Sequence, residues 1–258
     1  MIRTISAKAL QVINNYLKLD LGGKKIVTPY FINIRKNRAE LRVMAGKGDP
    51  EEIVHEAKVW AQVKGFDLFK ANSIQIRKFL MNLGIGIDCS GFVVHVLNAE
   101  LKSRGFNSIW HYLTFKDNSF FMTIRRLLRP VENIGANDLT NDENSIKIQK
   151  LNDIRPIDLI RIVGKERNSY HVGIIIKTEH DEKGNIKYLE YANSHKDYGD
   201  QNGVRIGKIE ILNPKGDLKN QKWIDDYKGK NYFKLHFAQN RENGIRRLKI
   251  FTLSRSNY

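Results

Sequence analysis

One cysteine stands in a chain of 258 residues, in the run Ile87-Asp88-Cys89-Ser90-Gly91-Phe92-Val93, directly before an apolar stretch that reads as a buried helix. Asp88 is a good N-cap, which makes Cys89 the first helical residue, with Phe92, Val93, Val96, Leu97 and Leu101 continuing the apolar faces. The macrodipole and unpaired N–H groups of a first helical turn favour a thiolate over a thiol, so nucleophilic chemistry is what Cys89 is placed to do. Metal chemistry is not expected: one cysteine and scattered histidines show no ligand spacing, and no cofactor motif accompanies them.

A thiol nucleophile needs a base, and the base needs a third polar group to fix its tautomer and orientation. Of the seven histidines, His95 lies inside the cysteine helix and cannot turn back, while His55 and His111 lack a supporting pattern. His171 opens a β-rich run after the polar stretch 165–170 and is the candidate base. If its strand returns through a turn at Lys183-Gly184, the position across from His171 falls near His195 or Lys196, with Asn193 within about three residues. Asn193 is the candidate third member, because its amide oxygen accepts a ring N–H without adding a buried charge. Glu190 falls too far along the strand, whereas Tyr191 and His195 stay open, since a one-residue slip exchanges which of them faces the site.

The elements that must hold these residues can be read from punctuation. Met1 to Asp20 reads as a short amphipathic helix, and Asp49-Pro50-Glu51-Glu52 starts another running to about Lys64. Those acidic residues at the helix mouth exclude a phosphate cradle at Gly46-Lys47-Gly48. Further helices are predicted over Ser73–Asn82, ending before Gly84 and Gly86, and over Thr123–Arg129, stopped by Pro130. Trp110, Tyr112, Phe115, Phe120 and Phe121 read as core aromatics, and 131–155 as an exposed polar insertion or lid. Strands are predicted over Asp158–Val163, His171–Ile176, Ile186–Ala192 and Val204–Leu212. A polar stretch at 214–231 precedes two last candidate strands, Tyr232–Phe237 and Arg246–Leu253. The fold class is α+β, with a helical N-terminal extension (1–84) packed on a catalytic domain (85–258).

Asp88-Cys89-Ser90-Gly91-Phe92-Val93, Pro156-Ile157-Asp158-Leu159-Ile160 and His171-Val172-Gly173-Ile174 resemble, in order and spacing, the DCSGF, PGDL and HVGI blocks of the NlpC-type papain-like cell-wall peptidases and amidases. The resemblance covers roughly Ile85 to Leu212, about half of the chain. It implies a papain-like fold in which the nucleophile helix packs on an antiparallel sheet, and a triad of Cys89, His171 and Asn193. It also implies hydrolysis of an amide bond, in peptidoglycan or a related peptide, through a thioester acyl-enzyme. Ile157 stands where the family has glycine. The family's tyrosine shortly before the cysteine has a distant stand-in in Tyr30, taken with Ser90 as a substrate-binding residue. Related papain-like branches perform acyl transfer or thioester hydrolysis, which is the alternative enzymatic expectation.

The formal charge of +16 is compatible with an anionic polymer as partner, and a non-catalytic basic binding module is the third reading. The basic residues are spread along the chain without a recognised nucleic-acid motif, so no specific nucleic-acid partner is expected. A single cysteine allows no intramolecular disulfide, and the first residues lack an export signal, which makes the cytoplasm the default location. No apolar run is long enough to predict a membrane span.

Overall fold

The computed structural model describes residues 1–33, 41–117, 119–164, 169–225 and 227–252. Its helices are α1 (Ala7–Leu17), α2 (Pro50–Val63), α3 (Ser73–Leu83), α4 (Cys89–Ser103), α5 (Phe120–Leu128), α6 (Ala136–Thr140) and α7 (Tyr232–Ala238). Its strands are β1 (Ile2–Thr4), β2 (Leu19–Leu21), β3 (Lys24–Ile26), β4 (Ser145–Ile148), β5 (Leu159–Val163), β6 (Tyr170–His180), β7 (Ile186–His195), β8 (Gly203–Glu210), β9 (Lys222–Ile224) and β10 (Gly244–Leu248). Strands β2 and β3 form a separate hairpin, and the others build one antiparallel sheet in the order β4-β10-β5-β6-β7-β8-β9, with β1 paired to the far half of β6. This is an α+β architecture.

Alternation along the strands creates two cores. Val172, Ile174, Ile176 and Ala192 pack with the apolar residues of α4. Ile175, Leu189, Tyr191 and Ile209 point to the opposite face and pack with Trp223 and Phe233. Helix α4 is apolar around most of its girth because the sheet lies under it and α1 over it, with the Tyr16 and Phe92 rings edge-to-face at 5.5 Å, while a stripe of His95, Asn98, Ala99 and Lys102 stays partly exposed. Phe92, Val93, Val96, Leu97 and Leu101 are fully buried, each stabilising the fold by about 1.5–3 kcal/mol.

Several expectations are corrected. The first residues are not all helix, because β1 joins the sheet and the N-terminal ammonium donates to the His180 carbonyl at 2.8 Å. Thus 1–84 is not purely helical, and its residues share a core with α4. The region 131–155 is not an exposed insertion. Val131, Ile134, Leu139 and Ile154 are buried, β4 pairs with β10, and the polar residues that looked solvated are used internally. Asn144, for example, exchanges hydrogen bonds with both the N–H and the carbonyl of Thr114. Within 214–231, β9 extends the sheet edge, and Trp223 packs inward.

Tyr232–Ala238 is a helix, not a strand, because Asn231 caps the Lys234 N–H at 2.8 Å and the buried pair Phe233 and Phe237 lies four residues apart. The last strand ends at Leu248 instead of running on, and Leu253 lies outside the described residues, as does 165–168. Phe115 is core, but Phe120 and Phe121 are 73% and 82% exposed, on the same outward face of α5 as Leu127 and Leu128.

One turn stores conformational strain. The Asp158 N–H donates to the Arg155 carbonyl at 3.2 Å, with Pro156 and Ile157 between them and Ile157 at φ +82°. That is the arrangement of a type II turn, whose third position needs the left-handed backbone that glycine supplies freely and a β-branched residue resists. Ile157 is held there by its own burial, by its N–H to the Ile175 carbonyl at 2.7 Å, and by Asp158, whose two carboxylate oxygens take the Arg247 guanidinium at 2.7 and 2.8 Å. Urea unfolding of Ile157→Gly and Ile157→Ala tests this account. Both lose the buried side chain but only glycine relieves the backbone, so the glycine variant should be the more stable by about 1 kcal/mol, the reverse of the order found in helices.

Candidate active site

The start of α4 is built by a buried polar clamp. Asp88 Oδ1 accepts the Gly91 N–H at 2.6 Å, closing the N-cap. Its other oxygen lies 3.1 Å from the Lys47 ammonium, which also donates to Ser90 Oγ at 2.5 Å and to the Ile134 carbonyl at 3.0 Å. The Gly46-Lys47-Gly48 segment thus serves as a brace: the Gly46 carbonyl takes the Asp88 N–H, the Lys47 carbonyl meets His95 Nε2, and the Gly48 carbonyl takes the Tyr16 hydroxyl. Gly91 is required by the same brace, since a Cβ there would lie 2.8 Å from the Gly46 carbonyl oxygen. The Ser90 hydroxyl receives Lys47 and donates to Asp88, so both of these bonds support the helix start.

Tyr30 is delivered to the cysteine by backbone pairing. The Pro29 carbonyl accepts the Ile87 N–H and the Ile87 carbonyl accepts the Phe31 N–H, which lays Tyr30 beside Ile87, two residues before Cys89. Asn202, itself gripped by Arg77, accepts the Tyr30 N–H at 3.2 Å. Burial raises the Tyr30 hydroxyl pKa, followed by the negative charges that Cys89, Asp88 and Asp197 can carry. The hydroxyl therefore stays a proton donor and lies within electrostatic range of both the thiol and Asp197.

His171 is the second residue of β6, and Val172 points to the α4 side while the His171 ring packs on Phe233 at 5.4 Å. The Val172 N–H lies close enough to the Cys89 sulfur to lower its pKa, so thiol and ring flank the same peptide link. Among the described residues no hydrogen bond joins them, and His171 Nε2 is buried without a hydrogen-bond partner. The register Ile174↔Ala192, continued three residues, sets His195 across from His171, and the two rings meet edge-to-face at 4.6 Å.

His195, not Asn193, is therefore the neighbour of the candidate base. Asn193 lies two residues nearer the turn, buried beside Gly173, and makes no bond to His171. Counting from the turn puts His195 or Lys196 across from His171, and the ladder agrees, because its two register shifts, between Ile175 and Lys177 and between Glu179 and His180, cancel. Tyr191 stacks on Phe233 in the core, and Glu190 pairs with Lys177 farther along the ladder. Sequence reasoning missed three further residues of this corner. Lys47 was seen only as part of a loop, Asp197 lies two residues beyond the last strand position considered, and His236 was hidden in a helix read as a strand. The Asn231 cap and the four-residue Phe233/Phe237 spacing were the available signal for that helix.

Electrostatically, the resting pair is neutral. Burial pushes the Cys89 thiol up to about 12, with Asp88 adding to the rise, against smaller lowering by the Val172 N–H, Lys47 and the Ser90 N–H. The thiolate expected from the helix terminus is thus overruled by desolvation. Burial pushes the His171 ring down to about 3, helped by His236 and Lys196, and His195 and His95 are also lowered, chiefly by burial.

Two outcomes follow. Lys47→Met leaves Asp88 buried without its cation, and should cost about 3–5 kcal/mol in urea unfolding. The unfolded chain takes up histidine protons below about pH 6.5. The folded chain refuses them at His171 until about pH 3. Stability should therefore fall as pH drops through that window, by up to about 1.4 kcal/mol per pH unit for each such ring, and His171→Asn should flatten the fall. Compared with known protein families, curated proteins and solved structures, the chain matches none.

Proposed function

We propose that the protein is a cysteine hydrolase that cleaves an amide bond through Cys89, His171 and His195. The observation that carries this reading is convergence: the first residue of a capped helix, a tyrosine from the N-terminal region and two cross-strand histidines lie around one peptide link, although the sequence separates them widely. The peptide stems of peptidoglycan are the substrate class that the motif resemblance favours.

In this reading the Cys89 sulfur attacks the substrate carbonyl carbon while its proton passes to His171. Because both groups start neutral, the proton moves as the S–C bond forms, and no thiolate is stored beforehand. His195 backs the His171 ring. The oxyanion is met by the Cys89 N–H, which has no intrahelical acceptor, and by the Tyr30 hydroxyl. His171 then returns the proton to the leaving amine, the C–N bond breaks, and water hydrolyses the thioester. One observation favours the non-catalytic module instead, namely the burial that leaves the thiol unactivated at rest.

Mass spectrometry of muropeptides incubated with the full chain separates the readings. The native protein should release a product that Cys89→Ala reduces about 10³-fold or more, with the variant's unfolding curve unchanged. His195→Asn should lower kcat by about 10²-fold or more with little change in KM, and Asn193→Ser should leave turnover nearly unaltered. Turnover that survives in Cys89→Ala removes the thiol from the mechanism. A native protein that binds muropeptides without cleaving them leaves the binding module.

A further inference from the structure

His195 also belongs to a second group of donors, whose other two members, Asp197 and His236, this mechanism does not use. His195 ends β7, Asp197 follows it in the turn, and His236 comes from α7, which crosses the same face of the sheet. One ligand atom from each lies within 4.8 Å of the others. Asp197 Oδ2 is 2.8 Å from His236 Nε2 and 4.0 Å from His195 Nδ1. We propose that His195, Asp197 and His236 form a binding site for a divalent transition-metal ion of the class that takes zinc.

Two imidazoles and one carboxylate are a donor set that such ions take and that magnesium does not seek. The rings are held in place beforehand. His195 is packed by the Tyr198 and Phe233 rings at 5.3 and 5.9 Å, and the His195 and His236 rings lie 5.4 Å apart. Closing from 4.8 Å to the spacing set by zinc–ligand bonds of about 2.0–2.2 Å needs only a short movement. Asp197 and His236 also line an open cavity of about 440 Å³, with Gly199, Tyr232, Leu235 and Gln239, which gives the ion a route in and room for a water as fourth ligand. Capture through His195 Nδ1 would cost the hydrogen bond that this atom now accepts from the Asp197 N–H at 3.1 Å. It would also replace the Asp197–His236 contact, so the ion displaces two internal interactions and gains three ligands.

The ion would fix the ring that stands behind His171. This consequence rests on the hydrolase reading above; the binding itself does not. Isothermal titration of the full chain with zinc chloride at neutral pH, with magnesium chloride as control, tests it. One equivalent of zinc should bind, with no response to magnesium. His236→Ala and Asp197→Asn should each weaken binding at least tenfold, and Cys89→Ala should retain it. Circular dichroism of each variant without metal establishes that it is folded. No saturable zinc uptake, uptake unchanged in both His236→Ala and Asp197→Asn, or loss of uptake in Cys89→Ala would overturn the site. Zinc uptake in a protein that cleaves no muropeptide would leave the metal site standing and remove only its link to turnover.

Discussion

The Lys47 ammonium, enclosed between Asp88, Ser90 and the Ile134 carbonyl, is the constraint on which the rest of the corner depends. Three stretches far apart in the chain meet at this one charge. A buried ion pair contributes little net stability when set against an apolar replacement, because both charges lose their water. It is, however, intolerant of displacement: each of the ammonium's protons has an acceptor, and a shift of the helix start would strand one of them. The clamp therefore converts a modest free energy into a fixed position for Cys89.

Placement and reactivity then pull in opposite directions. The packing that fixes Cys89 and the two cross-strand histidines also dries them, and drying favours the uncharged form of each. The helix terminus and the nearby N–H groups favour charge, but they act over a few atoms, while the loss of solvent acts on the whole group. The site at rest therefore holds a neutral acid beside a neutral base. In the proposed reaction, charge separation would have to be supported by whatever enters the corner, above all by donors that face the substrate oxygen.

Much of the frame was legible because local chemistry and tertiary need agree there. Asp49-Pro50 and Asp88-Cys89 start helices in isolation and in the fold, and the Pro50 and Ser73 helices begin where their caps place them. Legibility failed where one residue type serves two ends. The Asn and Asp residues of 131–155 look solvated but satisfy buried backbone groups. Tyr232 to Phe237 alternates well enough for a strand, yet its cap and its Phe pair make a helix. The neighbour of His171 was legible by counting from the turn, which put His195 or Lys196 across from it, and only the preference for an uncharged amide moved the choice to Asn193. Tyr30 was named from resemblance alone, and what brings it in is a one-residue parallel bridge to Ile87 that no periodicity encodes.

The position of β10 also decides when the protein can finish folding. This strand, among the last described residues, does not add to an edge; it inserts between β4 and β5, and its Arg247 closes the turn at Asp158. During synthesis the edge of β5 must wait, unpaired, while some eighty further residues emerge, on the order of seconds at ribosomal rates. The nascent chain thus carries a temporarily open sheet that other chains could join, and its hydrogen-bonded ladder is completed only after β10 has left the ribosome.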